Sequence, residues 1–254
     1  MCVLALAWKA HPRWRLVVAG NRDELHARPA APLARWEGQE EGLLAGRDLR
    51  SGGTWLGVSE AGRLVVVTNL RGYGEARPDK ASRGALVTDL LTGSVDIAGL
   101  SDAHLDDFNP FNLIAADSDG VQFLSNRPAA IRSQLGPGIF GLSNGRLDEP
   151  WPKTVQIKAG LLEWIVSGAH RPEDLFGMLR EDRLPEVGIP SPEASDIPEE
   201  ARQSPIFILD PVYGTRCSTV VAIDEQGQGI VMERSFAPDG TTFGTTGLSF
   251  RWPD

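Results

Sequence analysis

The sequence predicts an α+β fold, and three observations carry that expectation. Short β-prone runs crowd both ends of the chain, helical spacing is confined to the middle, and turn signals recur about every ten residues. The 254 residues include 28 Gly and 18 Pro, enough to supply those turns.

Residues 3–8 and 15–20 are apolar and β-prone, with His11-Pro12 between them, and read as a hairpin. Residues 43–45, 54–58 and 64–69 look like further short strands, separated by Gly52-Gly53 and Glu60-Ala61-Gly62. Residues 82–91 place Leu86 and Leu90 four apart with Val87 and Leu91 beside them, a helical stripe that Ser82 can cap. Residues 111–115 and 121–124 flank the turn Asp117-Ser118-Asp119-Gly120, and 139–143 is one more strand. Residues 154–166 repeat apolar side chains at Val155, Ala159, Leu162 and Val166, which predicts a helix with that stripe inward. Residues 172–180 read as a short helix burying Leu175, Phe176 and Leu179. Residues 184–203, rich in Pro, Glu and Ser, are expected to form a long loop or flap. Strands are then expected over 205–209, 216–223 and 229–236. No composition break or internal repeat divides the chain, so a single domain over 1–254 is expected.

Composition narrows the function. Hydrophobic residues make up 41% and the formal net charge is −9, with no basic run. Sequence-independent nucleic-acid binding needs clustered Lys and Arg, so no nucleic-acid partner is expected. No apolar stretch reaches the roughly 18–20 residues of a membrane span, and no secretory signal opens the chain. Only Cys2 and Cys217 are present, too few for a disulfide framework, and a cytoplasmic location is the default.

Cys2 is the first candidate for chemistry. Met1 before a small residue is commonly removed, which would leave a thiol and a free α-amine on one residue. The amine, with a reference pKa near roughly 7.7–8.0, can take the thiol proton. Cys2 equally reads as a small buried residue starting a strand. Asn21-Arg22-Asp23-Glu24 follows the second strand of the hairpin, which runs back toward Cys2. An Asp there could hold the amine and an Arg could lower the thiol pKa; a solvated turn is the plain alternative.

Several weaker clusters follow. Gly46-Arg47-Asp48 and Gly52-Gly53-Thr54-Trp55-Leu56-Gly57 lack phosphate-loop spacing. Thr68-Asn69-Leu70-Arg71 and Leu142-Ser143-Asn144 each place an Asn after a strand, where its amide could donate to an oxyanion or simply end the strand. Ser82-Arg83-Gly84 opens a helix and could bind an anion or merely cap it. Tyr213-Gly214-Thr215-Arg216 brings a late cation. His11, His26, His104 and His170 are scattered, and no metal site is expected.

Taken in order, Met1-Cys2, Asn21-Arg22-Asp23-Glu24 with Arg28-Pro29, Gly46-Arg47-Asp48, Gly53-Thr54-Trp55-Leu56-Gly57, Thr68-Asn69, Ser82-Arg83-Gly84, Phe111-Asn112-Leu113, Leu142-Ser143-Asn144 and Tyr213-Gly214-Thr215-Arg216 resemble the NRDE family. Its eukaryotic members are called transport and Golgi organisation proteins. The resemblance implies the N-terminal-nucleophile hydrolase superfamily and a four-layer α-β-β-α sandwich of two antiparallel sheets.

Within that superfamily the chain looks most like the choloylglycine-hydrolase and penicillin-acylase branch. By position the resemblance assigns catalytic roles to Cys2, Asp23, Asn69, Asn144 and Arg216, and ligand contacts to Asn21, Arg22, Glu24, Arg71 and Arg83. That branch carries an Arg where Gly20 stands here. A two-residue shift on a strand keeps the face, so Arg22 is the expected replacement.

Two functions follow from the resemblance. One is hydrolysis of an amide or thioester of a small acyl ligand through a Cys2 acyl-enzyme. The other is non-catalytic binding and trafficking of haem or acyl-CoA and lipid, with haem a cargo and no cofactor required. A scaffold without activity is the third reading.

Overall fold

The computed structural model describes residues 2–184 and 203–253. Most of the loop expected over 184–203 lies outside the described residues.

Two antiparallel sheets stack face to face. The first runs in the order β10-β1-β2-β11-β12-β13, from β1 (Cys2–Trp8), β2 (Trp14–Leu25), β10 (Gly138–Leu142), β11 (Tyr213–Asp224), β12 (Gln228–Phe236) and β13 (Thr242–Arg251). The second runs β3-β4-β5-β6-β7-β8-β9, from β3 (Ala30–Arg35), β4 (Leu43–Asp48), β5 (Leu56–Ser59), β6 (Arg63–Asn69), β7 (Phe111–Ala116), β8 (Val121–Ser125) and β9 (Ile131–Leu135). Helix α1 (Arg83–Thr92), followed by the short α2 (Asp102–Leu105), covers the outer face of the second sheet. Helices α3 (Pro152–Val166) and α4 (Leu175–Leu179) cover the first. This is the four-layer α-β-β-α sandwich that the resemblance implied.

The layering explains the unbroken apolar run at the N-terminus. Along β1, Leu4, Leu6 and Trp8 point between the sheets and pack on Val58 and Leu64, whereas Val3, Ala5 and Ala7 point out and pack under Ile157 and Leu161 of α3. A strand buried on both faces needs no polar alternation. Each of these leucines, fully buried, contributes about 1.5–3 kcal/mol.

Several expectations need correction. The stripe Val155, Ala159, Leu162 and Val166 faces outward, and α3 instead buries Thr154, Ile157, Leu161 and Trp164. Helix α3 is apolar on two interleaved faces, so spacing alone does not choose between them. Residues 205–209 form no strand: Asn21 holds this stretch instead, its side-chain amide donating to Ile206 O at 2.9 Å. The edge strands β9 and β13 went unread because their exposed faces are polar and Gly- or Ser-containing. Strand β3 lay in a Pro- and Ala-rich stretch without an apolar run.

Antiparallel pairing brings the ends of the expected motifs together. Strand β1 starts where β2 and β10 end and where β11 starts, so Cys2, residues 21–24, Ser143-Asn144 and residues 213–216 share one end of the first sheet. Asn69 ends β6 in the facing sheet, and Asn144 Nδ2 donates to Asn69 O at 2.8 Å, tying the two sheets at this end.

Candidate functional site

Cys2 and Arg22 are directly paired across β1 and β2, on the face between the sheets. Both line a cleft of about 610 Å³ that also includes Asp23, Glu24, Asn69 and Arg83. Among the described residues, six cations line it (Arg22, Arg28, Arg50, Arg77, Lys80 and Arg83) against three carboxylates (Asp23, Glu24 and Asp48).

Position 20 lies on the same face as Arg22, opposite Leu4. A Cβ on Gly20 would stand 2.7 Å from Leu4 Cβ and 2.8 Å from Val3 O, so no larger residue fits there. The guanidinium on this face is therefore supplied one pleat further along. Arg22 Nη2 donates to Asp48 Oδ2 at 2.9 Å, and Arg28 Nε reaches the same oxygen at 2.5 Å. Glu24 Oε2 stands 3.9 Å from both arginines. Burial alone would raise the Asp48 carboxyl, but the hydrogen bonds from Arg28 and the Ser51 N–H, with the nearby guanidinium charges, hold it below its ordinary value. Arg22 Nη1 is buried and has no hydrogen-bond partner among the described residues.

Asp23 is only 3% exposed. Thr215 Oγ1 donates to its Oδ1 at 2.7 Å and Tyr213 Oη to its backbone carbonyl at 2.9 Å. The late Tyr213-Gly214-Thr215 run is thus a bracket for Asp23. Burial pushes the Asp23 carboxyl up to about 6, against the amino terminus, Lys153, the Thr215 hydroxyl and Arg22, which favour the charged form. Burial likewise pushes the Cys2 thiol up. The amino terminus, Arg22 and a hydrogen bond from the Asp23 N–H oppose that rise, and the Asp23 carboxylate adds to it.

The remaining expected residues separate. Asn69 and Arg83 line the cleft. Arg83 Nη1 donates to Pro110 O at 2.9 Å, and burial lowers its affinity for its proton. Its seat is set by Gly53, where a Cβ would lie 2.2 Å from the backbone of Gly84, so the Gly52-Gly53 turn packs directly on the start of α1. Ala85 N–H donates to Ser82 Oγ at 3.3 Å, the expected cap.

Asn144 is fully buried, and its amide is used on Asn69 O. Arg71 offers its backbone N–H to Asn144 O at 2.8 Å and stands outside the cleft lining.

Two residues depart from the assigned geometry. Asn21 points to the opposite face from Cys2. Its Nδ2 donates to Leu179 O at 2.8 Å and Ile206 O at 2.9 Å, and Ser218 Oγ donates to its Oδ1 at 2.6 Å. It is a fully buried tie between β2 and the segment after α4, with no face on the cleft. Arg216 sits at a β-bulge, where the register against β2 shifts between Thr215 and Cys217. A bulge re-aims its side chain: Arg216 Nη1 donates to Leu25 O and Arg28 O, both at 2.9 Å, and Arg216 lines an adjoining cavity of about 90 Å³ with Cys217 and Glu233, which shares Arg22, Asp48, Thr54 and Trp55 with the cleft.

One buried ionisable group near Asp23 escaped the sequence reading. Lys153 has no exposed surface, and its Nζ donates to Ser204 Oγ at 2.8 Å. The only signal was a lysine just before the helix predicted over 154–166, at the end where the helix dipole disfavours a cation.

The fold and site together define an α-β-β-α sandwich with a cysteine at the head of its first strand, a carboxylate at its back and a cationic cleft in front. Comparison with known proteins then gives the family: residues 1–238 match the model for Transport and Golgi organisation 2, and the chain belongs to that family. It is 34% identical over 279 residues to the bovine Transport and Golgi organization protein 2 homolog, covering 99% of both chains. It is 33% identical to the human homolog, covering 92% of this chain and 93% of that protein. Among solved structures, a Caenorhabditis elegans N-acylethanolamine-hydrolyzing acid amidase ortholog aligns with a TM-score of 0.49 and 14% identity, over 86% of this chain and 92% of that one. The C2A mutant of conjugated bile acid hydrolase from Clostridium perfringens aligns at 0.44 and 8% identity, over 98% and 92%. No helix among the described residues is long and apolar enough to cross a membrane.

Proposed function

We propose that this protein is an N-terminal-cysteine hydrolase acting on an amide or thioester of a small acyl ligand that carries anionic groups. The observation that carries this reading is Cys2 itself, at the head of β1 in a cationic cleft, paired with Arg22 and backed by Asp23. Removal of Met1 would free the Cys2 amine to accept the thiol proton. The thiolate attacks the acyl carbonyl, the amine or thiol leaving group takes that proton, and water releases the acid from the acyl-enzyme. The unpartnered Arg22 Nη1 is a donor for developing negative charge. Arg83, which pairs with no carboxylate among the described residues, is suited to a phosphate or carboxylate of the ligand.

A second reading has its own observation. Asn144, the expected oxyanion donor, has its amide committed to Asn69 O. A site with that donor occupied holds a ligand more readily than it cleaves one, which favours a carrier of acyl-CoA or haem on the same scaffold. Among the described residues no histidine lines the cleft, and there the Cys2 sulfur is the soft ligand that a haem cargo would meet.

One experiment separates the two. Acyl-CoA thioesters, acyl amides and haem are offered to wild type and Cys2→Ala. Release of free acid by wild type alone supports the hydrolase. Equal binding by both proteins with turnover by neither supports the carrier.

A further inference from the structure

Lys153 is a buried ionisable side chain that the proposed reaction leaves unused. It is fully buried, and lysines are almost never fully buried unless paired. It follows Pro152 in the first turn of α3, where the free N–H groups already concentrate positive charge. Its hydrogen-bond partner, the Ser204 hydroxyl, is neutral and cannot offset the charge.

The topology shows where the offset lies. Alternate residues of β2 share a face: Val17 and Ala19 pack under α3 and α4, and Asn21 bonds to the segment after α4. Asp23, next in that series, is therefore on the helix-covered side of the sheet. Thr154, adjacent to Lys153, packs over Gly141 of β10, two strands from β2, which seats the first turn of α3 on the same side. Lys153 and the almost fully buried Asp23, which also borders the cleft, thus occupy one layer behind the strand end that carries Cys2. Their proton affinities agree with that placement: burial brings Lys153 down to about 8, with Asp23 and Cys2 opposing the fall, while burial raises Asp23.

We propose that Lys153 is a positioning residue: the buried counter-charge that keeps Asp23 a carboxylate behind Cys2. This rests on the hydrolase reading, in which Asp23 must be ionised to hold the amine of a processed Cys2. Among the described residues, the charged and titratable groups that act on Asp23 are Lys153, Arg22 and Cys2; those that act on Lys153 are Asp23, Cys2 and Arg71.

The test is carbon NMR on protein labelled at the Asp carboxyl and Lys ε positions, in wild type, Lys153→Met, Lys153→Arg and Asp23→Asn. Lys153→Met should weaken the acidity of Asp23 about tenfold or more, a midpoint roughly one pH unit higher, and Lys153→Arg should restore it. Reciprocally, Asp23→Asn should lower the Lys153 midpoint by a similar amount, because coupling between two sites is mutual. An unmoved Asp23 titration in folded Lys153→Met overturns the proposal. If that variant does not fold, an unmoved Lys153 titration in the isosteric Asp23→Asn overturns it instead. These are protonation readings, so loss of the hydrolase reading through absent turnover would leave them standing, and their failure would leave turnover unaffected.

Discussion

Cys2 and Arg22 face each other across the first two strands, and Cys217 faces the same arginine from the other side. Thiol, guanidinium and thiol line up across three strands. With strands about 4.8 Å apart, the two cysteine Cα atoms are separated by about 10 Å, beyond the roughly 7 Å that a disulfide tolerates.

The two thiols should therefore behave differently. Cys217 is buried, and burial together with Glu233 beside it pushes its thiol well above the ordinary value. Cys2 opens on the cleft. A thiol titration with a chromogenic disulfide should count one fast thiol in native protein and two after unfolding, with the fast one lost in Cys2→Ala. Two fast native thiols would contradict this assignment.

Asn21 should prove structural. Its truncation to Ala strips hydrogen bonds from Leu179 O, Ile206 O and Ser218 Oγ inside the protein. Leaving these buried groups unsatisfied should cost about 3–5 kcal/mol, read as a lower midpoint in urea unfolding. Gly20→Ala should cost about 1–3 kcal/mol by overpacking against Leu4 and Val3.

The Asp23–Lys153 pair should leave a trough in stability against pH. Asp23 has a folded pKa of about 6, above its unfolded value near roughly 3.9, so its contribution is full below the unfolded value and is lost as pH rises to about 6. Lys153 has a folded pKa of about 8, below its unfolded value near roughly 10.4, so its contribution is lost as pH falls toward 8. Stability should be lowest between about pH 6 and 8, by on the order of 3 kcal/mol for each group. Urea unfolding from pH 4 to 10 checks it: the difference between wild type and the double variant Asp23→Asn/Lys153→Met should trace that trough, and a flat difference would refute it.

Much of this molecule was legible beforehand, and the failures have physical causes. Strands buried on both faces, such as β1 and β6, announce themselves as apolar runs, and Ser82 marks the start of α1. The motif order also collected Cys2, Asp23, Asn69 and Arg83 correctly at one end of the sandwich. The aim of Arg216, onto Leu25 O and Arg28 O, was not legible because a bulge is invisible in a strand's composition. Asn21 sits one residue from Arg22, and on a strand that single step exchanges the cleft for the helix layer. Lys153 lies far from Asp23 in sequence and joins it through the packing of α3 on the first sheet.

The cationic cleft predicts a salt-dependent ligand. Coenzyme A thioesters should bind more weakly as ionic strength rises, since exposed charge attraction is screened over about 8–10 Å. Arg83→Gln should weaken binding roughly tenfold, the loss of one charge-assisted hydrogen bond. Calorimetric titration at two salt concentrations checks both. Affinity indifferent to salt would point to an apolar ligand instead.

The central claim is that Cys2 is the amino-terminal nucleophile. Intact-mass spectrometry of the purified protein after exposure to a thiol-directed acylating probe tests it most directly. The account predicts a chain that begins at Cys2 and carries one acyl group, with no adduct on Cys2→Ala. A chain that quantitatively retains Met1, or a Cys2 that stays unmodified, would contradict it.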